Sequence, residues 1–98
     1  MKKGGCVYIL TNKRKSVLYV GVTSDLKRRI EEHKNKIDLK CFTARYNCDI
    51  LLYYKGFHSI EEAINEEKRI KGGSRKRKLD LIFEMNPLWK DLFDNIDE

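Results

Sequence analysis

Two short apolar runs, residues 5–11 (GCVYILT) and 17–23 (VLYVGVT), are separated by a polar, lysine-rich break at 12–16 and fenced by Gly4-Gly5 and by Ser24-Asp25. Val, Ile, Leu and Tyr at that density favour extended backbone, so the pattern predicts an antiparallel hairpin. Alternation places Cys6, Tyr8 and Leu10 on one face of the first strand, and Val17, Tyr19, Gly21 and Thr23 on one face of the second. A register that joins those faces makes the two phenols neighbours.

The period then changes. Ser24 or Asp25 can cap a helix through LKRRIEEHKNK, residues 26–36, with Leu26, Ile30, His33 and Ile37 on one stripe and Lys27, Glu31 and Lys34 off it. Arg29 flanks the stripe, and Arg28 points the opposite way. Residues 38–48 read as a loop, and residues 49–57 (DILLYYKGF) as a third strand. Ser59 followed by Glu62 is a capping box for a helix at Ile60–Lys71, which Gly72-Gly73 ends. Ser74 caps a third helix through about Glu84, and Asn86-Pro87 stops it. The order strand, strand, helix, strand, helix, helix predicts an α+β domain over residues 1–98: a small three-stranded antiparallel sheet flanked by helices.

On the second helix Ala63, Ile64, Glu67 and Lys71 fall on the same side as Ile60, so an acid sits on the apolar stripe. A carboxylate there is costly unless it is paired, hydrogen-bonded or bound to a metal. One reading is an i to i+4 pair with Lys71. The other is a functional carboxylate.

The chain has 98 residues, enough for one modest core, and 21 Lys and Arg against 15 Asp and Glu. Residues 87–98 hold one Lys against four acids, a net −3, which leaves +9 on the remainder. A basic body of this kind attracts phosphate backbones. Its densest part is RIKGGSRKRK, residues 69–78, where Lys71, Arg75, Lys76, Arg77 and Lys78 are candidate nucleic-acid contacts or simply a solvated surface.

Three cysteines, Cys6, Cys41 and Cys48, form no CxxC pair, and no signal peptide or long apolar run is visible. The expected setting is cytoplasmic, with reduced thiols, no membrane contact and no evident obligate protein partner. Zinc bound by Cys41, Cys48 and a His lacks a knuckle-like spacing, so free buried cysteine is the default.

Arg29 and His33 are four apart on one helix and project side by side. Either alone reads as core-edge packing. Two phenols, an Arg, a His and a stripe-facing Glu together are types suited to phosphodiester hydrolysis. They offer a base for water, a cation for the transition state and a carboxylate for one divalent ion.

In this ordered set the chain resembles the GIY-YIG endonuclease domain, of the small stand-alone excinuclease-like bacterial type. CVY at 6–8 stands for GIY, YVG at 19–21 for YIG, LKRRIEEH for the helix with its Arg and His, and EEKRIKG with NPLWKDL for the ending. Cys6 replaces the first glycine of the motif. The resemblance implies a metal-dependent DNA endonuclease with one Mg2+ or Mn2+ ion, acting on DNA that includes branched or damaged forms, in repair or recombination. It casts Tyr8 as activator of water, Arg29 as transition-state cation, and Tyr19 with His33 as groups that orient or shuttle protons. Glu67 becomes the metal ligand, with Gly21 and Asn86 in support.

Two alternatives remain at this stage. One is a catalytically weak nucleic-acid-binding module of the same fold. The other is a partner-binding domain that presents Leu88, Trp89, Leu92, Phe93 and Ile96 as an apolar stripe, a segment expected to pack on the domain instead.

Overall fold

All seven residues of the first strand are buried, because it is the centre of the sheet and is covered on both faces. The computed structural model describes residues 4–36 and 42–96. Strands β1 (Gly5–Thr11), β2 (Leu18–Thr23) and β3 (Ile50–Phe57) pair antiparallel in the order β2-β1-β3. The hairpin turn is closed by Asn12, whose Oδ1 accepts the Ser16 N–H at 2.9 Å while its carbonyl accepts the Lys15 N–H. Thr11 Oγ1 donates to the Val17 carbonyl at 2.7 Å, which satisfies a buried hydroxyl at the strand end.

The two faces of β1 meet different partners. Val7 and Ile9 pack with Val20, Leu52, Tyr53, Ala63, Ile70 and Ile82, while Cys6, Tyr8 and Leu10 pack with Leu26, Ile30, Cys48 and Leu51. Helix α1 (Leu26–Lys34) thus covers the tyrosine face. Helices α3 (Ile60–Lys71) and α4 (Arg75–Met85) cover the other. A register irregularity between Ile9 and Leu10 makes Leu52 an extra residue of β3, so the adjacent Leu52 and Tyr53 both reach the Val7 layer while Leu51 and Tyr54 face the Tyr8 layer.

The expected order of elements holds, with adjustments at the ends. Asp25 is the cap of α1, its Oδ1 accepting the Arg28 N–H at 3.3 Å, and the helix closes at Lys34, two residues before the expected end. Ile37 and Cys41 lie outside the described residues. The segment 38–48, expected to be irregular, contains a single helical turn, α2 (Phe42–Arg45). The capping box of α3 forms in full, with Ser59 Oγ accepting from Glu62 N and Glu62 Oε1 from Ser59 N.

The apolar stripe of α3 needs one correction. Its buried residues are Ala63, Glu67 and Ile70, whereas Lys71, placed on the stripe by ideal periodicity, is exposed. At the last turn the branched apolar Ile70 takes the sheet side. Lys71 stays half-exposed near the helix C-terminus, which favours a cation, and its ammonium reaches back to Glu67.

Residues 87–96 fold back over the domain. Trp89 packs on the Val7 side and Leu92, Phe93 and Ile96 on the Tyr8 side, leaving Leu88 72% exposed. Leu92 N donates to the Leu51 carbonyl at 2.8 Å, and Asp91 Oδ1 accepts from Leu51 N at 3.1 Å and from Phe93 N. Lys34 Nζ binds Asp91 Oδ2 at 2.6 Å and donates to the Asp49 carbonyl. The tail is therefore tied to both β3 and α1.

Candidate active site

Tyr8 comes from the centre of β1, where the alternation of the strand turns its ring toward α1. In the register Tyr8 opposes Gly21, and Tyr19 opposes Leu10, so the phenols stand diagonally on one face. Their ring centroids are 6.4 Å apart. His33, on the last turn of α1, closes a triangle with centroids 5.8 Å from Tyr8 and 5.9 Å from Tyr19. Tyr8 Oη and His33 Nε2 are 3.1 Å apart, a hydrogen bond.

Gly21 makes room for this. A Cβ at that position would collide with Cζ and Oη of Tyr8, so the absence of a side chain lets the phenol lie flat over β2. Cys6 raises no such conflict, because it points into the same layer and is 2% exposed. Burial pushes its thiol pKa up to about 12, and the same cause takes Cys48 to about 11. Both behave as small apolar groups.

The electrostatics of the triangle are set mainly by burial. Tyr8 is 0% exposed, and desolvation, then the nearby Tyr19, hold its pKa well above the ordinary 10 despite the opposing pull of Arg29. A raised pKa keeps the hydroxyl protonated, so a role for Tyr8 in activating water calls for a partner that takes its proton. His33 is pulled below its ordinary 6.5 by burial and by Arg29, with Glu32 pushing the other way. At neutral pH it is a neutral imidazole, and in the tautomer with its proton on Nδ1 the Nε2 atom accepts from the Tyr8 hydroxyl.

Arg29 lies one turn before His33, half-exposed beside the phenols. Its Nε is 3.4 Å from Glu32 Oε1, and Arg28 Nε is 3.5 Å from Glu32 Oε2. A polar cleft of about 250 Å³ opens there, lined by Thr23, Ser24, Asp25, Arg28, Arg29 and Glu32.

Glu67 enters from the other layer. Its side chain is 11% exposed, and Oε2 is paired with Lys71 Nζ at 2.5 Å, so the simple ion-pair reading is realised. Helix α3 packs on β1 and on β2 from the Val7 side of the sheet. Among the described residues no group of three or more His, Cys, Asp or Glu side chains gathers to cage an ion. A lone carboxylate fits the way Mg2+ or Mn2+ is commonly held, by one or two carboxylates with waters and substrate phosphate completing the shell. The pairing with the exposed Lys71 must yield for that to happen.

The basic run also lies on the α3–α4 layer. Lys76 pairs with Asp80 at 3.1 Å, Lys78 Nζ donates to the Gly73 carbonyl and Lys71 is held by Glu67. Arg75 and Arg77 make no ion pair among the described residues, which leaves them the readiest anion contacts of the run. Asn86 is buried and knots backbone together: Nδ2 donates to the carbonyls of Leu52 and Lys90, and Oδ1 accepts the Lys90 N–H. The triangle of Tyr8, Tyr19 and His33 is thus assembled, with Gly21 beneath it and Arg29 beside it, while Glu67, Asn86 and the basic run come from the opposite layer. Glu32 was missed in the sequence; its only signal was its three- and four-residue spacing from Arg29 and Arg28.

Comparison with known proteins agrees with this architecture. The profile of the GIY-YIG catalytic domain matches residues 4–80. A UPF0213 protein of Clostridium perfringens is 40% identical over 76 residues, covering 78% of this chain and 80% of the relative. A UPF0213 protein of Autographa californica nuclear polyhedrosis virus is 35% identical over 66 residues, 67% of this chain, and the match spans 62% of the viral protein's length. The solution NMR structure of a UPF0213 protein from Bacillus halodurans superposes with a TM-score of 0.55 at 32% identity, covering 89% of this chain and 90% of that one.

Proposed function

Because this chain belongs to the GIY-YIG catalytic domain family, we propose that it is an endonuclease that hydrolyses DNA phosphodiester bonds with the help of one divalent metal ion. The observation that carries this reading is the Tyr8 Oη to His33 Nε2 hydrogen bond at 3.1 Å, with Arg29 alongside. A buried phenol bonded to a neutral imidazole is a proton relay. Tyr8 takes a proton from the attacking water while passing its own to His33, so no free phenolate is needed. The water oxygen attacks phosphorus as the P–O bond to the leaving sugar oxygen breaks; that oxygen departs as a hydroxyl by taking a proton from solvent water, and His33 ends as imidazolium.

Tyr19, half-exposed at the mouth of the triangle, orients the water. Arg29 stabilises the charge that develops on the phosphoryl oxygens. Glu67 is the residue that would hold Mg2+ or Mn2+, and such an ion supplies Lewis-acid stabilisation of the phosphate and leaving oxygen. Arg75 and Arg77 add salt-sensitive contacts to the phosphate backbone.

The test is a cleavage panel of plasmid, branched and single-stranded DNA with Mg2+ or Mn2+. We expect cutting that stops in EDTA and in the Glu67→Ala variant. Undiminished activity of that variant removes the metal assignment. No cutting of any substrate, with retained salt-dependent binding, leaves the nucleic-acid-binding module as the function.

A further inference from the structure

Glu32 divides its carboxylate between two guanidiniums, one oxygen toward Arg28 and one toward Arg29. Two arginines sharing one oxyanion form the arrangement in which guanidiniums hold a phosphate. The three side chains line the cleft of about 250 Å³, whose remaining walls, Thr23, Ser24 and Asp25, are polar. Asp25 is a second carboxylate of the cleft, engaged by the first-turn amide of Arg28, and the two guanidiniums are the cations that the cleft offers an anion. The pair is loosely held: both contacts are at the long end for an ion pair, each uses a single Nε, and Arg28 is 76% exposed.

We propose that Glu32 is an internal stand-in for a backbone phosphate of the nucleic acid: it holds Arg28 and Arg29 together in the free protein and is displaced from them when a phosphate enters the cleft. The proposal rests on the nucleic-acid reading above and deepens it. Glu32 is then a positioning residue with a cost to binding. It keeps both guanidiniums oriented toward the cleft, and it competes with the substrate for them. Arg29, which also flanks the Tyr8 phenol, becomes free to face a phosphate only when that competition is lost. Glu31, one position earlier, is exposed and has no described arginine partner, so it isolates the effect of net charge.

The experiment measures equilibrium binding of fluorescently labelled duplex and branched oligonucleotides in EDTA, across a salt series, so that no cleavage is required. Glu32→Gln is nearly isosteric at a half-exposed position and should bind about two- to fivefold more tightly than wild type, the range expected when a surface ion pair stops competing. Glu31→Gln raises the net charge by the same amount and should gain clearly less. The gain from Glu32→Gln should shrink when Arg28 is also changed to Ala. If wild type binds and Glu32→Gln is no tighter than Glu31→Gln, the stand-in role is overturned and the nucleic-acid reading survives. If wild type binds neither probe at low salt, the proposed function falls and this inference falls with it.

Discussion

Tyr8 and His33 are 25 positions apart in sequence, yet their Oη and Nε2 atoms meet at 3.1 Å. The contact joins the most enclosed strand of the sheet to the last turn of α1. Removing the hydroxyl while keeping the ring isolates it. Tyr8→Phe should leave the thermal midpoint within a few degrees and lower the cleavage rate by about 10²- to 10⁴-fold, the usual contribution of a positioned proton-transfer group. His33→Gln should do similarly, and the double variant should be little worse than either single one, because the groups act as a unit. Additive losses in single-turnover rates would argue against the relay.

Acid should weaken both activity and stability. The folded pKa of His33 lies below its ordinary 6.5, so between the two values the unfolded chain binds more protons than the folded one. The stability His33 contributes is complete above about 6.5 and is lost as pH falls through the folded value. Urea titrations at several pH values should show that slope, and His33→Gln should flatten it. The cleavage rate should fall over the same acidic limb as the imidazole acquires a proton.

Gly21→Ala tests the floor beneath Tyr8. The new methyl would meet Cζ and Oη of a ring that has no free space to retreat into. We expect about 1–3 kcal/mol of destabilisation, the usual range for overpacking a core, read by denaturant unfolding. Cleavage should fall by more than the unfolded fraction explains, since the displaced phenol leaves His33.

Asp91→Ala should destabilise the fold by about 1–3 kcal/mol, because it strands the Leu51 N–H inside the structure and removes the partner of Lys34. Hydrogen exchange should rise first at β3 and across residues 91–96. Truncation before Pro87 should cost more still, as it uncovers the apolar groups that Trp89, Leu92, Phe93 and Ile96 cover. An unchanged unfolding midpoint in both variants would contradict the packing described above.

Much of this was legible in the chain because the local signals agree with one another. The hairpin follows from two β-branched runs around an asparagine-led turn, and α3 from a capping box followed by a periodic stripe. Pairing of the phenols needed only the alternation of two strands plus a register. The state of Tyr8 was hidden, since period 2 gives a side chain's face but not whether a second layer covers it. The stripe of α3 puts Glu67 on the buried side of its helix, but a stripe does not say which face of the sheet that helix covers. The Lys34–Asp91 bridge, across 57 positions, had no local signature. Glu32 was inconspicuous because one acid among neighbouring charges on a helix looks like any solvated face.

The residues that follow α4 have a consequence for association as well as for stability. Strand β3 is an edge of the sheet, and at Leu51 its outward N–H and C=O are taken by Asp91 Oδ1 and Leu92 N of the same chain. A bare edge is a template on which another copy can add a strand. The C-terminal segment thus acts as a guard against self-templating, and variants that loosen it should precipitate on mild warming well before the sheet itself melts.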